Sequence, residues 1–267
     1  MHDIDRPFGH VGLVGYGTMG TAIAALLTES GRGVTVVDVD PSRVDNLPSS
    51  VKAGRAIDDL LGADLVIEAV DENAELKRVV LGQIASVVGR DVPIVTTTTG
   101  LSVTDLAVDV PAATRVAGLH FSIRAPKASV VEVVRGLQTA DPLTSRLVTF
   151  VKTLGREAIE VEDRPGFLVD SLLLPYLNDV VQALDDELAT AEDIDLALEL
   201  GLGYKRGLLA MLDDAGLDVH LDETSALYES IADPRYAPPP LLRRMVAAGR
   251  FGTKNGRGFR STDIRKA

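Results

Sequence analysis

A chain of 267 residues, 46% of them apolar and 25% charged, is long enough for one large or two modest domains around a substantial core. Its net charge of −12 opposes binding to phosphate backbones or anionic bilayers, so neither nucleic acid nor a membrane is expected as a partner. The absence of cysteine excludes disulfides, thiolate catalysis and Cys-ligated metals, and no metal site is expected. No apolar run approaches the roughly 18 residues of a spanning helix, and the polar, acidic start of the chain is not a secretory signal. A cytoplasmic location is expected.

Short apolar runs alternate with helical patterns through the first 160 or so residues. Strands are expected at His10–Val14, Gly33–Val37, Asp64–Ala69, Val92–Val95, Arg115–Phe121 and Val130–Val134, with a further strand-like run at Ala158–Val161. Helices are expected between them at Met19–Ser30, Asn73–Val88 and Ser102–Val108. Continuous apolar strands alternating with helices imply an α/β, Rossmann-type, doubly wound, mostly parallel sheet covered on both faces. From Pro165 onward the strand signal stops. Leu168–Leu188, Ala191–Leu200 and Leu221–Ile231 read as helices, and Pro238–Pro240 precedes a last one. The expected organisation is therefore a dinucleotide-binding domain over residues 1–164 and an all-helical domain over 165–267, separated by the Asp163-Arg-Pro-Gly166 turn.

The first strand leads into Gly15-Tyr16-Gly17-Thr18-Met19-Gly20, a G-x-G-x-x-G loop between strand and helix. The first glycine permits the turn, the second lets the backbone approach a pyrophosphate, and the third lets helix and strand pack closely. About 20 residues further on, where the fingerprint requires an acid, Asp38 ends the second strand and can accept from the adenosine ribose hydroxyls. Asp40 is the alternative. A carboxylate at this point repels a 2′-phosphate, so NAD(H) is expected over NADP(H), with Arg43 the one nearby residue that favours the reverse.

Of the four histidines, His2 and His10 precede the glycine loop, and His220 is expected on a polar face of the helical domain. His120 ends a strand, at the edge of an open α/β sheet where ligands collect. Glu132 interrupts Val130-Val-Glu-Val-Val134, and a carboxylate inside such a run needs a partner. An imidazole suits it: the acid orients one ring nitrogen and stabilises the imidazolium formed when the other takes a proton. That is the chemistry of an alcohol dehydrogenase, in which a base removes the hydroxyl proton as hydride departs.

Joined to VGLVGYGTMGTAIA, DLVIEAVDEN, VTTTTGLSVTDLA, RVAGLHF, VVEVVRG, DRPGFLVD, ATAEDIDLALELGLG and APPPLLRRMVAAGRFGTKNGRGF, these residues resemble the 3-hydroxyacyl-CoA (3-hydroxybutyryl-CoA) dehydrogenase family over nearly the whole chain. The resemblance implies an N-terminal Rossmann domain, a helical substrate and dimerisation domain, a homodimer, and a cleft between the domains. It implies His120 as acid/base with Glu132 as its partner, and Glu72, Lys77 and Lys254 near the NAD cofactor. Thr99 stands where the family has a serine whose hydroxyl contacts the acyl substrate.

Several positions depart from the family pattern. Only Asp38–Ala63 connects the second strand to DLVIEAV, without the long helical excursion whose tail contacts CoA in the family. The HFFNP motif reads His120-Phe-Ser-Ile-Arg124, and the asparagine of PGF-x-V-N is Asp170. An ionised carboxylate only accepts hydrogen bonds, whereas an amide also donates. Asp170 is therefore expected to be protonated, to bind a substrate hydroxyl or amine, or to pair with a cation. Arg124 suits bidentate carboxylate recognition. Lys205-Arg206 replace a typical His-Pro-Met run, with solvated surface charge as the alternative.

The expected activity is hydride transfer between NAD(H) and the 3-hydroxy/3-keto position of a small acyl group carried by CoA or an acyl carrier protein. A free β-hydroxyacid is the alternative substrate. A 3-hydroxyisobutyrate or 6-phosphogluconate type of enzyme would need a catalytic lysine in a Lys-x-x-x-Asn helix, and none stands beside Asp170 and Asn178. A non-catalytic NAD-binding protein is the reading from another class, and the intact His120–Glu132 pair weighs against it.

Overall fold

A computed structural model of the protein describes residues 8–45, 47–121 and 130–260. The chain divides into two compact units, Met1–Phe167 and Leu168–Ala267. The first unit runs β1 (His10–Val14), α1 (Thr18–Glu29), β2 (Gly33–Val37), α2 (Pro41–Val44), β3 (Val51–Ala53), β4 (Leu65–Glu68), α3 (Ala74–Val87), β5 (Ile94–Thr96), α4 (Val103–Leu106), β6 (Val116–Phe121), β7 (Val130–Arg135), α5 (Asp141–Thr153) and β8 (Glu157–Glu162). These strands form one sheet in the order β3-β2-β1-β4-β5-β6-β7-β8.

Every neighbouring pair of these strands is parallel except β6–β7. The chain winds outward from β1 to β3, then returns to place β4 on β1's other side. That reversal opens a crevice beyond the carboxyl ends of β1 and β4, where ligands of such sheets bind. The alternation of side chains along each strand explains the unbroken apolar runs. Leu13, Val36, Ile67 and Leu119 face one way and pack with Ile23 and Leu27 of α1 and Leu147, Phe150 and Val151 of α5. Val14, Val37, Val66 and Val116 face the other way, against Leu81 and Ile84 of α3 and Leu106 of α4. With both faces covered, a polar residue inside one of the central strands has to find a partner within the protein.

Three elements of this unit, α2, β3 and α5, escape the sequence reading. β3 is three residues long, and Lys52 in its middle hides it. α5 carries a readable apolar stripe at Leu143, Leu147, Phe150 and Val151, all buried.

The second unit contains α6 (Val169–Asp185), α7 (Ala191–Leu202), α8 (Leu208–Ala215), α9 (Leu217–Ile231) and α10 (Pro240–Ala247). Its core joins Leu177, Val181, Leu209, Leu212, Leu217, Leu242, Met245 and Phe259. No helix among the described residues is long and apolar enough to cross a membrane. His220 corrects an expectation. It has no exposed surface, because Leu217, His220, Thr224 and Leu227 recur at helical spacing on the buried stripe of α9. Its Nε2 lies 3.1 Å from Asn178 Oδ1 of α6. The Asn178 amide donates in turn to Thr224 Oγ1 at 2.8 Å and to the Arg235 carbonyl at 3.2 Å.

Two buried aspartates tie this unit together. Asp195 of α7 accepts from the amides of Leu209 (2.9 Å) and Ala210 (3.0 Å), so it caps α8 from a neighbouring helix, and it also accepts from Arg260 Nη1 at 2.9 Å. Gly207 makes room for it, since a Cβ there would fall 2.1 Å from Asp195 Cγ. Asp213 accepts from the amides of Phe259 and Arg260, which fastens the Gly-Arg-Gly-Phe segment to α8. Burial pushes the Asp213 carboxyl above its usual range, against the opposing effect of those two amides.

Asp195→Ala removes a cap and leaves two buried amides and part of a guanidinium without an acceptor. It is expected to lower stability by about 2–4 kcal/mol, read as a reduced urea midpoint with an unchanged transition slope.

Candidate functional site

The glycine loop has the geometry that its sequence implies. Gly15 sits at φ +96°, and a Cβ there would lie 2.5 Å from the Ala69 carbonyl oxygen. A Cβ on Gly20 would meet the Gly15 oxygen at 2.1 Å, so that glycine lets α1 close onto the loop. Gly17 differs: a Cβ there would meet nothing nearer than Arg43 Nη1 at 3.8 Å. Its missing side chain therefore keeps a space open above the loop. Gly17 is also the N-cap of α1, with no side chain capping the helix and no acid in its first turn. The first-turn amides of Thr18, Met19 and Gly20 are the unpaired, positively polarised groups that favour an anion.

Asp38 and Asp40 have separate tasks. The Asp38 carboxylate is almost wholly enclosed and accepts from the Tyr16 amide at 2.6 Å and the Asp40 amide at 2.8 Å, with Arg43 Nη1 at 3.5 Å. Its position is thereby fixed against the glycine loop. Asp40 instead caps α2 by accepting from the Ser42 amide and hydroxyl, which holds its carboxyl below the usual range. A cavity of about 260 Å³ opens between Gly15, Gly17, Asp38 and Arg43 and the apolar walls of Ile57, Leu76 and Val80. A glycine cradle, a helix N-terminus, a carboxylate and an apolar slot together fit a dinucleotide.

At the end of β4 lies a residue that the sequence reading missed. Glu68 has no exposed surface, and neither has Lys77 of α3, whose Nζ lies 2.9 and 3.2 Å from the Glu68 oxygens and 3.2 Å from the Val70 carbonyl. Glu68 also accepts from the Val70 amide and the Thr96 hydroxyl, each at 2.7 Å. The signal was the one that exposed Glu132: an acid ending the apolar run Leu65-Val-Ile-Glu68. Lys77, placed near the cofactor by the family pattern, is thus enclosed and occupied by Glu68. Glu72 is half-exposed, with Oε2 3.6 Å from the same ammonium. Its Oε1 accepts from the Thr98 hydroxyl (2.6 Å) and from the amides of Thr99 (2.9 Å) and Gly100 (3.1 Å).

His120 and Glu132 are direct partners in the antiparallel register of β6 and β7, so both side chains stand on one face. His120 Nδ1 lies 2.6 Å from Glu132 Oε2, and both side chains are buried. An ionised carboxylate can only accept, so Nδ1 is the donor of this contact. The ring centroid of Phe167 lies 5.4 Å from that of His120. Phe167 reaches it through a tight turn in which Gly166 (φ +75°) and Phe167 itself (φ +45°) both adopt the left-handed conformation. Asp163 anchors that turn by accepting from the Ser102 hydroxyl and the amides of Val103 and Thr104 at the start of α4.

The structure thus gathers Gly15, Gly17 and Asp38 around one cavity, joins Lys77, Glu72 and Thr99 through Glu72, and pairs His120 with Glu132. Asp170 and Lys254 belong to the second unit. Asp170 is buried in the first turn of α6, and Lys254 forms an ion pair with Asp218. Lys205 is exposed and Arg206 pairs with Asp214 at 2.5 Å. Ile123 and Arg124 lie outside the described residues.

The comparisons with known proteins agree with this architecture. The NAD binding domain of 3-hydroxyacyl-CoA dehydrogenase matches residues 10–56 and 42–164, and the C-terminal domain of the same enzymes matches residues 166–262. A 3-hydroxybutyryl-CoA dehydrogenase of Mycobacterium tuberculosis is 34% identical over 93% of this chain and 96% of its own. One from Bradyrhizobium diazoefficiens is 33% identical over 93% and 94%. The crystal structure of (S)-3-hydroxybutyryl-CoA dehydrogenase from Ralstonia eutropha matches with a TM-score of 0.88 at 36% identity, covering 96% of this chain and 99% of that one. With its dinucleotide cradle, paired domains and matched length, the chain belongs to the 3-hydroxyacyl-CoA dehydrogenase family and is an NAD-dependent dehydrogenase.

Proposed function

We propose that the protein moves hydride between NAD(H) and C3 of a 3-hydroxyacyl thioester, with His120 as the acid/base and Glu132 as its orienting partner. The observation that carries this reading is the buried 2.6 Å contact between His120 Nδ1 and Glu132 Oε2. In the oxidation direction, His120 Nε2 takes the hydroxyl proton while the C3 hydrogen leaves with its electron pair, so a carbonyl forms. Glu132 orients the ring through Nδ1 and stabilises the resulting imidazolium. Bound NAD+ supplies the hydride acceptor. In reduction the imidazolium returns the proton to the carbonyl oxygen.

The remaining roles follow the family pattern and, for the described residues, their surroundings. Gly15, Gly17 and Gly20, with the amides of Thr18 and Met19, hold the pyrophosphate. Asp38 accepts from the adenosine ribose. Glu72, Lys77 and Lys254 serve the cofactor end of the site, Lys77 through its carboxylate neighbours. Thr99, Arg124 and Asp170 contact the acyl group. The second unit exposes Leu188, Leu196, Leu200 and Leu202, and this apolar surface supports its assignment to substrate binding and homodimer formation. CoA is the carrier named in the relatives. The short Asp38–Ala63 connection, which holds only α2, β3 and one short turn, favours an acyl carrier protein thioester as a second reading.

His120→Ala is expected to lower kcat on 3-hydroxybutyryl-CoA by about 10²- to 10⁴-fold with NADH binding, followed by fluorescence, unchanged. Free 3-hydroxybutyrate is expected to be a far poorer substrate than either thioester for the unaltered enzyme. Near-normal turnover by the alanine variant would remove the histidine from the mechanism.

Asp38→Ser removes the carboxylate that repels a 2′-phosphate. The ratio of kcat/KM for NAD+ over NADP+ is expected to fall by about tenfold or more, and an unchanged ratio would show that discrimination lies elsewhere.

A further inference from the structure

The Glu68–Lys77 pair needs a reason to exist. Both side chains are fully enclosed, and a buried ion pair is costly to desolvate and strongly destabilising when one partner alone is removed. Both Glu68 oxygens are committed, one to Lys77 and the Val70 amide, the other to Lys77 and the Thr96 hydroxyl. The ammonium is therefore flanked by two carboxylates, Glu68 at 2.9 Å and Glu72 at 3.6 Å. Glu72 has a competing commitment, since its other oxygen gathers three donors from the Thr98–Gly100 loop.

We propose that Glu68 is a positioning residue for that loop. By neutralising the Lys77 ammonium inside the sheet edge, it leaves Glu72 free to hold the amides of Thr99 and Gly100. The loop is then shaped before any ligand arrives, and Thr99 is presented in a fixed orientation. Without a negative charge at position 68, the ammonium has Glu72 as its single remaining carboxylate among the described residues. Lys77 is enclosed although Glu72 is half-exposed, and the attraction of that unbalanced charge draws Glu72 away from the loop. The catalytic consequence rests on the reading of Thr99 as a substrate contact; the effect on the loop does not.

The test is amide hydrogen exchange at Thr99 and Gly100 in the full chain with NADH bound, alongside steady-state kinetics. In Glu68→Gln, exchange at these two amides is expected to quicken about tenfold or more, while β1 and β2 amides are unaffected. kcat on 3-hydroxybutyryl-CoA is expected to fall about tenfold with KM for NAD+ within about twofold. Adding Lys77→Met removes the charge that pulls on Glu72 and is expected to restore loop protection. Unchanged exchange in a folded Glu68→Gln protein, or a double variant no better than the single one, overturns the proposal. If Glu68→Gln does not fold, Lys77→Met alone decides: retained protection of Thr99 and Gly100 supports the proposal, and lost protection overturns it. Thr99→Val separates the underlying reading, since unchanged kinetics there refute the substrate contact while the exchange result stands.

Discussion

The antiparallel pairing of β6 with β7 is the constraint on which the candidate chemistry depends. The six strands β1–β6, all parallel, bring only their carboxyl ends to the ligand edge. β7 runs the other way, so the early part of that strand reaches the same edge as the end of β6. Glu132 is thereby set directly opposite His120, and the alternation of side chains puts both on one face. A 2.6 Å contact inside a sheet follows from register alone, with little freedom for either group to drift. The enclosing Phe167 ring depends on two successive left-handed residues, which the Asp163 anchor helps to hold.

The same edge carries a series of carboxylates, each of which fastens one loop. Asp38 holds the amide of Tyr16 in the glycine loop, Glu68 holds Val70 after β4 and Glu72 holds the loop after β5; Asp163, which follows β8 at the opposite edge, likewise holds the start of α4. Each accepts from backbone amides where a strand or helix end leaves them unsatisfied. A dehydrogenase has to present several loops to one cofactor and one substrate with little play. Charge-assisted hydrogen bonds to short, enclosed carboxylates meet that requirement better than apolar packing, which is less directional. The net acidity of the chain is thus in part a feature of its scaffold.

Much of this was legible in the residues. The apolar runs of β1, β2 and β4 marked a sheet covered on both faces, and the glycine loop identified the cofactor because each glycine is demanded by a different close approach. Glu132 announced itself as a charge inside an apolar run. Glu68 carried the same signal and was overlooked, because its lysine partner sits on a separate helix and no spacing rule links them. The burial of His220 was misjudged, since its partner Asn178 is on another helix. β3 was too short to show a period. The approach of Phe167 to His120 was beyond reach, because it needs a non-glycine residue in a left-handed conformation that nothing in the sequence announces.

The central claim is that Glu132 holds His120 in the tautomer protonated at Nδ1. The direct measurement is ¹⁵N NMR of the histidine side chains near neutral pH, with His120 assigned by substitution. The expected result is a protonated Nδ1 and a bare Nε2 in the unaltered protein, with that preference lost in Glu132→Ala. A proton on Nε2 in the unaltered protein, or a tautomer indifferent to Glu132→Ala, would contradict the claim.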